Sequence, residues 1–106
     1  MENRELVIAI VNSGFADVVM LAARVAGATG GTVLKGHGTG SKKFMGMTIE
    51  PEKEIILILT EKDKTVKLMD TIYEKAGENG GKAIAFALPV EGAVGLIENS
   101  GEENDG

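Results

Sequence analysis

Leu34 to Met47 reads LKGHGTGSKKFMGM, with glycines at 36, 38 and 40, a serine at 41, lysines at 42 and 43, and the chain's single histidine at 37. Alternating glycines free the backbone to turn N–H groups toward an anion, and adjacent lysines supply countercharge. The residue types are those of a phosphate cradle; the spacing is not. A loop of the G-x-x-x-x-G-K-[ST] type needs its lysine directly after the second glycine and a helix to follow. Here Ser41 precedes the lysines, Gly36 and Gly40 stand at the wrong separation, and Phe44-Met45-Gly46-Met47 starts no helix. The dinucleotide pattern G-x-G-x-x-G fails as well, because the run is G-H-G-T-G.

Other chemistry-bearing groups are few. The absence of cysteine excludes a thiol nucleophile, a thiolate zinc site and a disulfide framework. His37 has no second histidine to share a metal, and Glu50, Glu52 and Glu54 stand on the far arm of its loop. It reads as an exposed loop histidine, or as a ligand only where subunits of an oligomer gather several copies. Lys82, after Gly80-Gly81, is either a phosphate anchor or a solvated lysine at a strand start. Phe44, Met45 and Met47 beside Lys42 and Lys43 are either contact residues for a partner or packing on the domain's own edge. Met20 and Met69 read as core filling, and Glu61-Lys62-Asp63-Lys64 as a solvated, mixed-sign turn. There is no Ser/His/Asp order near a strained turn, no H-E-x-x-H and no carboxylate pair between apolar walls. No catalytic residue is assigned, and the expectation is a protein that is not an enzyme.

Regular elements must position these groups, and they recur at a fixed interval. Glu5 to Val11 is a near-continuous β-branched run that suits a central strand, and Asn12-Ser13-Gly14 offers turn and N-cap chemistry. From Phe15 the period becomes helical, with Phe15, Val18, Val19, Ala22, Val25 and Ala26 on one face, and Gly27 is the natural stop. The second half repeats the plan. Ile55 to Leu59 is a strand and Asp63 a cap. Val66, Met69, Ile72, Tyr73 and Ala76 form a helical stripe stopped by Gly77, and Ala83 to Leu88 is a last strand ahead of Pro89. AGATGG (26–31) and AGENGG (76–81) share Ala-Gly-x-x-Gly-Gly at an interval of fifty, and the Gly-Gly pairs suit positive φ angles in a tight return. Two strand–helix–strand units give an α+β, ferredoxin-like βαββαβ fold: a four-stranded antiparallel sheet with two helices on one face. Its strands are apolar on both sides, so the second face needs a cover, and an oligomer supplies one.

The totals agree. A chain of 106 residues fits one domain, with 43% hydrophobic and 25% charged residues. A net charge of −5 and only three Phe and one Tyr argue against nucleic acid as a partner. MENRELVIAIVN is too short for a membrane span and lacks a signal-peptide layout, so a cytoplasmic protein with no membrane insertion is expected. The expected division is a folded domain over 1–98 and an acidic, disordered tail over 99–106.

GGTVLKGHGTG, then EIILIL, a helix, a glycine-rich turn and FALPVEGAVGL, resembles the P-II nitrogen-regulatory family and its smaller P-II-like relatives over about Glu5 to Ile97. The resemblance implies a homotrimer with clefts between subunits that bind adenine nucleotides, and a long T-loop that changes conformation to engage a protein target. It assigns Gly36 and Gly38 to the T-loop base and Gly80, Gly81 and Lys82 to the B-loop, where N–H groups and a lysine meet phosphates. Loop 36–47, with His37, Lys42, Lys43, Phe44 and Met45, becomes a shortened T-loop facing the partner. No cofactor is required; an adenine nucleotide is the expected effector. The family's two C-terminal arginines are replaced by Gly95 and Ile97, a T-loop glutamine by Gly40, and a lysine after the proline by Glu52. Charge-assisted contacts are worth ~1.5–3 kcal/mol each, so these losses weaken ATP more than ADP or AMP. The expected role is signalling in nitrogen or carbon metabolism. A divalent-cation-tolerance-like, metal-responsive trimer is disfavoured by the lack of cysteine and the single histidine. An amino-acid-sensing regulatory module is disfavoured by the chain's length. An acylphosphatase-like enzyme needs an arginine in the first loop, and Asn12-Ser13-Gly14-Phe15 has none.

Overall fold

In the computed structural model, residues 3–40, 42–49 and 51–96 are described, with 42–44 and 47–49 as backbone only. The chain runs β1 (Arg4–Asn12), α1 (Ala16–Val25), β2 (Thr32–His37), β3 (Lys42–Phe44), β4 (Met47–Ile49), β5 (Glu52–Glu61), α2 (Thr65–Glu78) and β6 (Ala83–Val90). A 3-10 turn at Lys62–Lys64 precedes α2. The main sheet has the order β2-β5-β1-β6, antiparallel throughout, and β3 and β4 form a separate two-stranded ribbon. This is the ferredoxin-like βαββαβ order with a hairpin inserted between its second and third strands. The tail and the boundary at 98 lie outside the described residues.

The two apolar runs of fifty-residue spacing pair at the centre of the sheet, from Arg4 opposite Glu61 to Asn12 opposite Lys53. Alternation then sorts their side chains. Val7, Ala9 and Val11 of β1 and Ile56 and Ile58 of β5 are buried under the helices. There they form one buried cluster with Ala16, Val19 and Ala23 of α1 and Leu68 and Ile72 of α2. The small residues of α1 let it sit close to the strands. β6 runs through Pro89 to Val90 rather than ending before the proline. An edge strand tolerates a missing N–H, which explains the extension.

Three local expectations need correction. The stripe on α2 is Thr65, Leu68, Ile72 and Ala76, whereas Val66 and Tyr73 are each 67% exposed. On α1, Ala16 and Ala23 are buried and Val25 points out. In both helices an adjacent apolar stripe exists, and the sheet selects the one that fits beneath it. The Gly-Gly pairs are not a matched pair of left-handed turns: of the four, only Gly80 has a positive φ, 83°. Gly31 and Gly81 are instead required by close approach, to Met20, Ile58 and the Leu57 carbonyl in one case and to the Phe15 ring in the other.

Both helices end with the same device at different points of the repeat. Gly27 N–H donates to Arg24 O (3.0 Å) and Ala28 N–H to Ala23 O (2.9 Å), with Gly27 at φ +104°. Gly80 N–H donates to Gly77 O (3.1 Å) and Gly81 N–H to Ala76 O (2.9 Å). Each is a Schellman closure. Gly77 is therefore not the stop but an exposed residue inside α2, with open space where a Cβ would stand. Gly77→Ala is expected to stabilise the protein by about 0.5–1 kcal/mol, read as a higher urea midpoint at unchanged slope.

The face of the sheet away from the helices is also apolar. Register places Leu34, Ile55, Ile10 and Ile84 in one row across the four strands. Thr32, Leu57, Ile8 and Phe86 form the next, followed by Leu59, Leu6 and Leu88. Leu34, Ile84, Phe86 and Leu88 are more than 40% exposed. Polar side chains close the two ends, with Lys53 and Asn12 at one and Arg4 and Glu61 at the other.

Candidate functional site

The root of the 36–47 loop is where β2 leaves the sheet and β5 enters it. Gly36 lies opposite Lys53 and His37 opposite Glu52, and beyond them Gly38 N–H donates to Pro51 O at 2.7 Å. Both glycines are hemmed in. A Cβ on Gly36 would stand 3.0 Å from Ile55 Cδ1, and one on Gly38 3.3 Å from Lys53 Cε and Pro51 Cγ. His37 is exposed at this root. The loop's outer part is the β3–β4 ribbon, turned by Met45 and Gly46 at φ of 53° and 83°. Two positive φ angles in a two-residue hairpin mark a type I′ turn, where Asn and Gly are the usual residues. A methionine there carries about 1–2 kcal/mol of backbone strain, and its side chain is 84% exposed. The side chains of Lys42, Lys43 and Phe44 lie outside the described set.

The second glycine loop, 79–82, has a different character. The N–H groups of Gly80 and Gly81 already close α2, as given above, and they point at helix carbonyls rather than outward. Gly81 is buried, and a Cβ there would stand 2.7 Å from Cδ1 and Cε1 of Phe15. The exposed cation of this loop is Lys82, just before β6.

Sequence reasoning missed Glu54 as the residue that caps the start of α1. The Asn12-Ser13-Gly14 segment does not cap α1 with its own side chains; the N-cap is Phe15, which makes no side-chain cap bond. One carboxylate oxygen of Glu54 accepts from Gly14 N–H (3.0 Å) and Ala16 N–H (2.9 Å) instead. A negative charge at this end also complements the helix dipole. Parity held the available signal, because Glu54 shares its face of β5 with buried Ile56 and Ile58. Lys53, on the opposite face, donates from Nζ to Asn12 Oδ1 at 2.7 Å. On α2, Asp63 likewise is not the cap: it lies in the 3-10 turn, and the N-cap Lys64 makes no side-chain cap bond.

The loop root, the β1–α1 turn and the 79–82 loop all lie at one end of the sheet, but they are not together. Gly36 is on the β2 edge and Lys82 on the β6 edge. Three inter-strand steps of about 4.8 Å separate them, about 14 Å in all. A single chain therefore holds the two halves of the expected site apart. A shallow groove lined by Asn3, Arg4, Glu61, Lys62 and Asp63 opens at the opposite end of the sheet, away from both. Among the described residues there is no cluster of three or more metal-ligating side chains, and no helix is long and apolar enough to cross a membrane.

The architecture, with a hairpin inserted between its second and third strands, defines a ferredoxin-like domain. The chain belongs to the nitrogen regulatory protein P-II family, whose model matches residues 4–98. Arabidopsis thaliana PII, solved with citrate bound, is 30% identical with a TM-score of 0.62, over 84% of this chain and 78% of that one. A PII-like signalling protein from Thermus thermophilus shares the fold at 16% identity and a TM-score of 0.63, covering 82% of this chain and 86% of that one. A Bacillus cereus protein related to NIF3 does so at 17% identity and a TM-score of 0.68; 86% of this chain spans only 26% of that longer one. No curated protein sequence matches the chain. P-II proteins are regulatory signal-transduction proteins that form trimers and act on protein targets.

Proposed function

We propose that this chain is a cytoplasmic, homotrimeric P-II-like regulator that binds an adenine nucleotide in clefts between subunits and signals to a protein target through loop 36–47. The observation that carries the proposal is the placement of Gly36 and Gly38 on one sheet edge and Lys82 on the other, at the same end. Two subunits meeting edge to edge bring these halves into one cleft, which a single subunit does not do. The apolar open face supports the same assembly, because sheets turned toward a common axis cover one another.

Within the cleft, Lys82 supplies the cation and the glycines at 36 and 38 let the ligand approach the backbone. Gly80 and Gly81 shape the loop. Gly95, where the family resemblance implies an arginine, sits at φ +86°, a conformation that suits glycine. A triphosphate therefore finds fewer countercharges here, and ADP or AMP is the favoured ligand. His37, Lys42, Lys43, Phe44 and Met45 are the proposed contacts to the target, with Met45 at the strained apex of the hairpin. Loop 36–47 answers the ligand by a shift in population between conformations. The proposed setting for the target is nitrogen or carbon metabolism.

Calorimetry with AMP, ADP and ATP tests this reading. Binding of AMP or ADP is expected, with ATP weaker. Lys82→Ala is expected to weaken ADP by about 10- to 100-fold, the equivalent of one charge-assisted contact. Tight Mg-ATP binding strengthened by 2-oxoglutarate would overturn the ligand preference. A melting curve that shifted only with divalent metals would sink the nucleotide reading altogether.

A further inference from the structure

Phe15 stands between two residues, Gly14 and Ala16, whose N–H groups both bond to one oxygen of Glu54. Its ring abuts the 79–82 loop so closely that Gly81 has no room for a methyl group. The same turn is tied to the start of β5 at two further points. Ser13 N–H donates to Glu52 O (3.1 Å), and Lys53 Nζ to Asn12 Oδ1 (2.7 Å). Lys53 and Pro51 in turn bracket Gly38 at the loop root. One continuous set of contacts thus runs from the glycine loop at one sheet edge to the hairpin loop at the other.

We propose that Phe15 is a positioning residue that couples the glycine loop to the root of the hairpin loop, through the 12–16 turn and the Glu54 carboxylate. The ring is partly buried against the core on one side and meets Gly81 on the other, so a displacement of the 79–82 loop reaches it directly. The charge-assisted bonds to Gly14 and Ala16 are short and directional, so a movement of the turn is handed to β5 rather than absorbed. The proposal rests on the nucleotide reading above for the ligand that drives the movement, while the coupling itself needs no ligand.

Amide hydrogen exchange, measured residue by residue on the full chain without ligand, tests it. Gly81→Ala drives a methyl group into the ring. The amides of Gly14, Ala16 and Gly38 are then expected to exchange about tenfold faster or more, while core amides such as those of Val7 and Ile58 keep their rates. Adding Phe15→Ala to Gly81→Ala removes the group that carries the displacement, and the Gly38 rate should return toward wild type. General destabilisation predicts the opposite, since loss of a second packing group would raise every rate further. An unchanged Gly38 amide in Gly81→Ala, or no recovery in the double variant, overturns the coupling. Should Gly81→Ala fail to fold, Glu54→Gln is read from the other end: faster exchange at Gly81 with core rates unchanged is expected, and an unchanged Gly81 rate overturns the proposal. Calorimetry with AMP and ADP separates the two ideas. Coupled exchange with binding of neither AMP nor ADP sinks only the nucleotide reading, and binding of either with uncoupled exchange sinks only the proposal.

Discussion

Ile8→Lys is expected to turn the proposed trimer into monomers. Ile8 sits in the middle row of the open face, between Leu57 and Phe86, and helps form a surface with no helix over it. Three rows across four strands make an apolar area about 20 Å on each side, several hundred Å². A surface of that size is at the upper end of what a monomer shows and is covered in stable assemblies. A lysine at its centre would be buried in each interface without a partner, a change large enough to prevent association. In the separated subunit the same lysine reaches water, so the fold survives. Sedimentation or light scattering should therefore show the mass falling to about one third, with an unchanged far-ultraviolet circular dichroism spectrum. Leu21→Lys, at an exposed position on α1, should leave the mass as it was. A wild-type protein that is already monomeric, or an Ile8→Lys variant that stays assembled, would remove the open face from the interface.

Two neighbouring residues on α2 provide the second strong test. Ile72 is fully buried against the sheet, and Ile72→Ala should cost about 2–5 kcal/mol from lost transfer energy and the cavity left behind. Tyr73, one position on, is 67% exposed, and Tyr73→Ala should change stability by about 0.5 kcal/mol or less. Urea titration of the two variants measures both. Similar losses at the two positions would mean that the outer stripe of α2 is packed against something, such as another subunit.

The same pair shows what the sequence could and could not give. The succession of strands and helices along the chain was legible because β1 and β5 are long β-branched runs, and because Schellman glycines punctuate both helices. The phase of α2 was not legible: Leu68, Met69, Ile72 and Tyr73 make two overlapping apolar stripes, and only the sheet beneath decides between them. Gly31 and Gly81 looked like turn formers and are in fact contact points, a property set by side chains far along the chain. The Glu54 cap joins residues 38 and 40 positions apart, and no local pattern encodes it. The loop glycines were found as residues, but their distribution over opposite edges emerges only from strand order.

That distribution bears on symmetry. In the proposed trimer a cleft takes one edge from each of two subunits, and different edges at that, which makes the contact heterologous. A two-fold axis would join like edges to like and leave every cleft half-built. Head-to-tail addition completes them, and it terminates only when the ring closes. In a closed ring the number of clefts equals the number of subunits, and no edge strand is left open to recruit further chains. Completing the ligand sites and capping the sheet against open-ended growth are then a single geometric event.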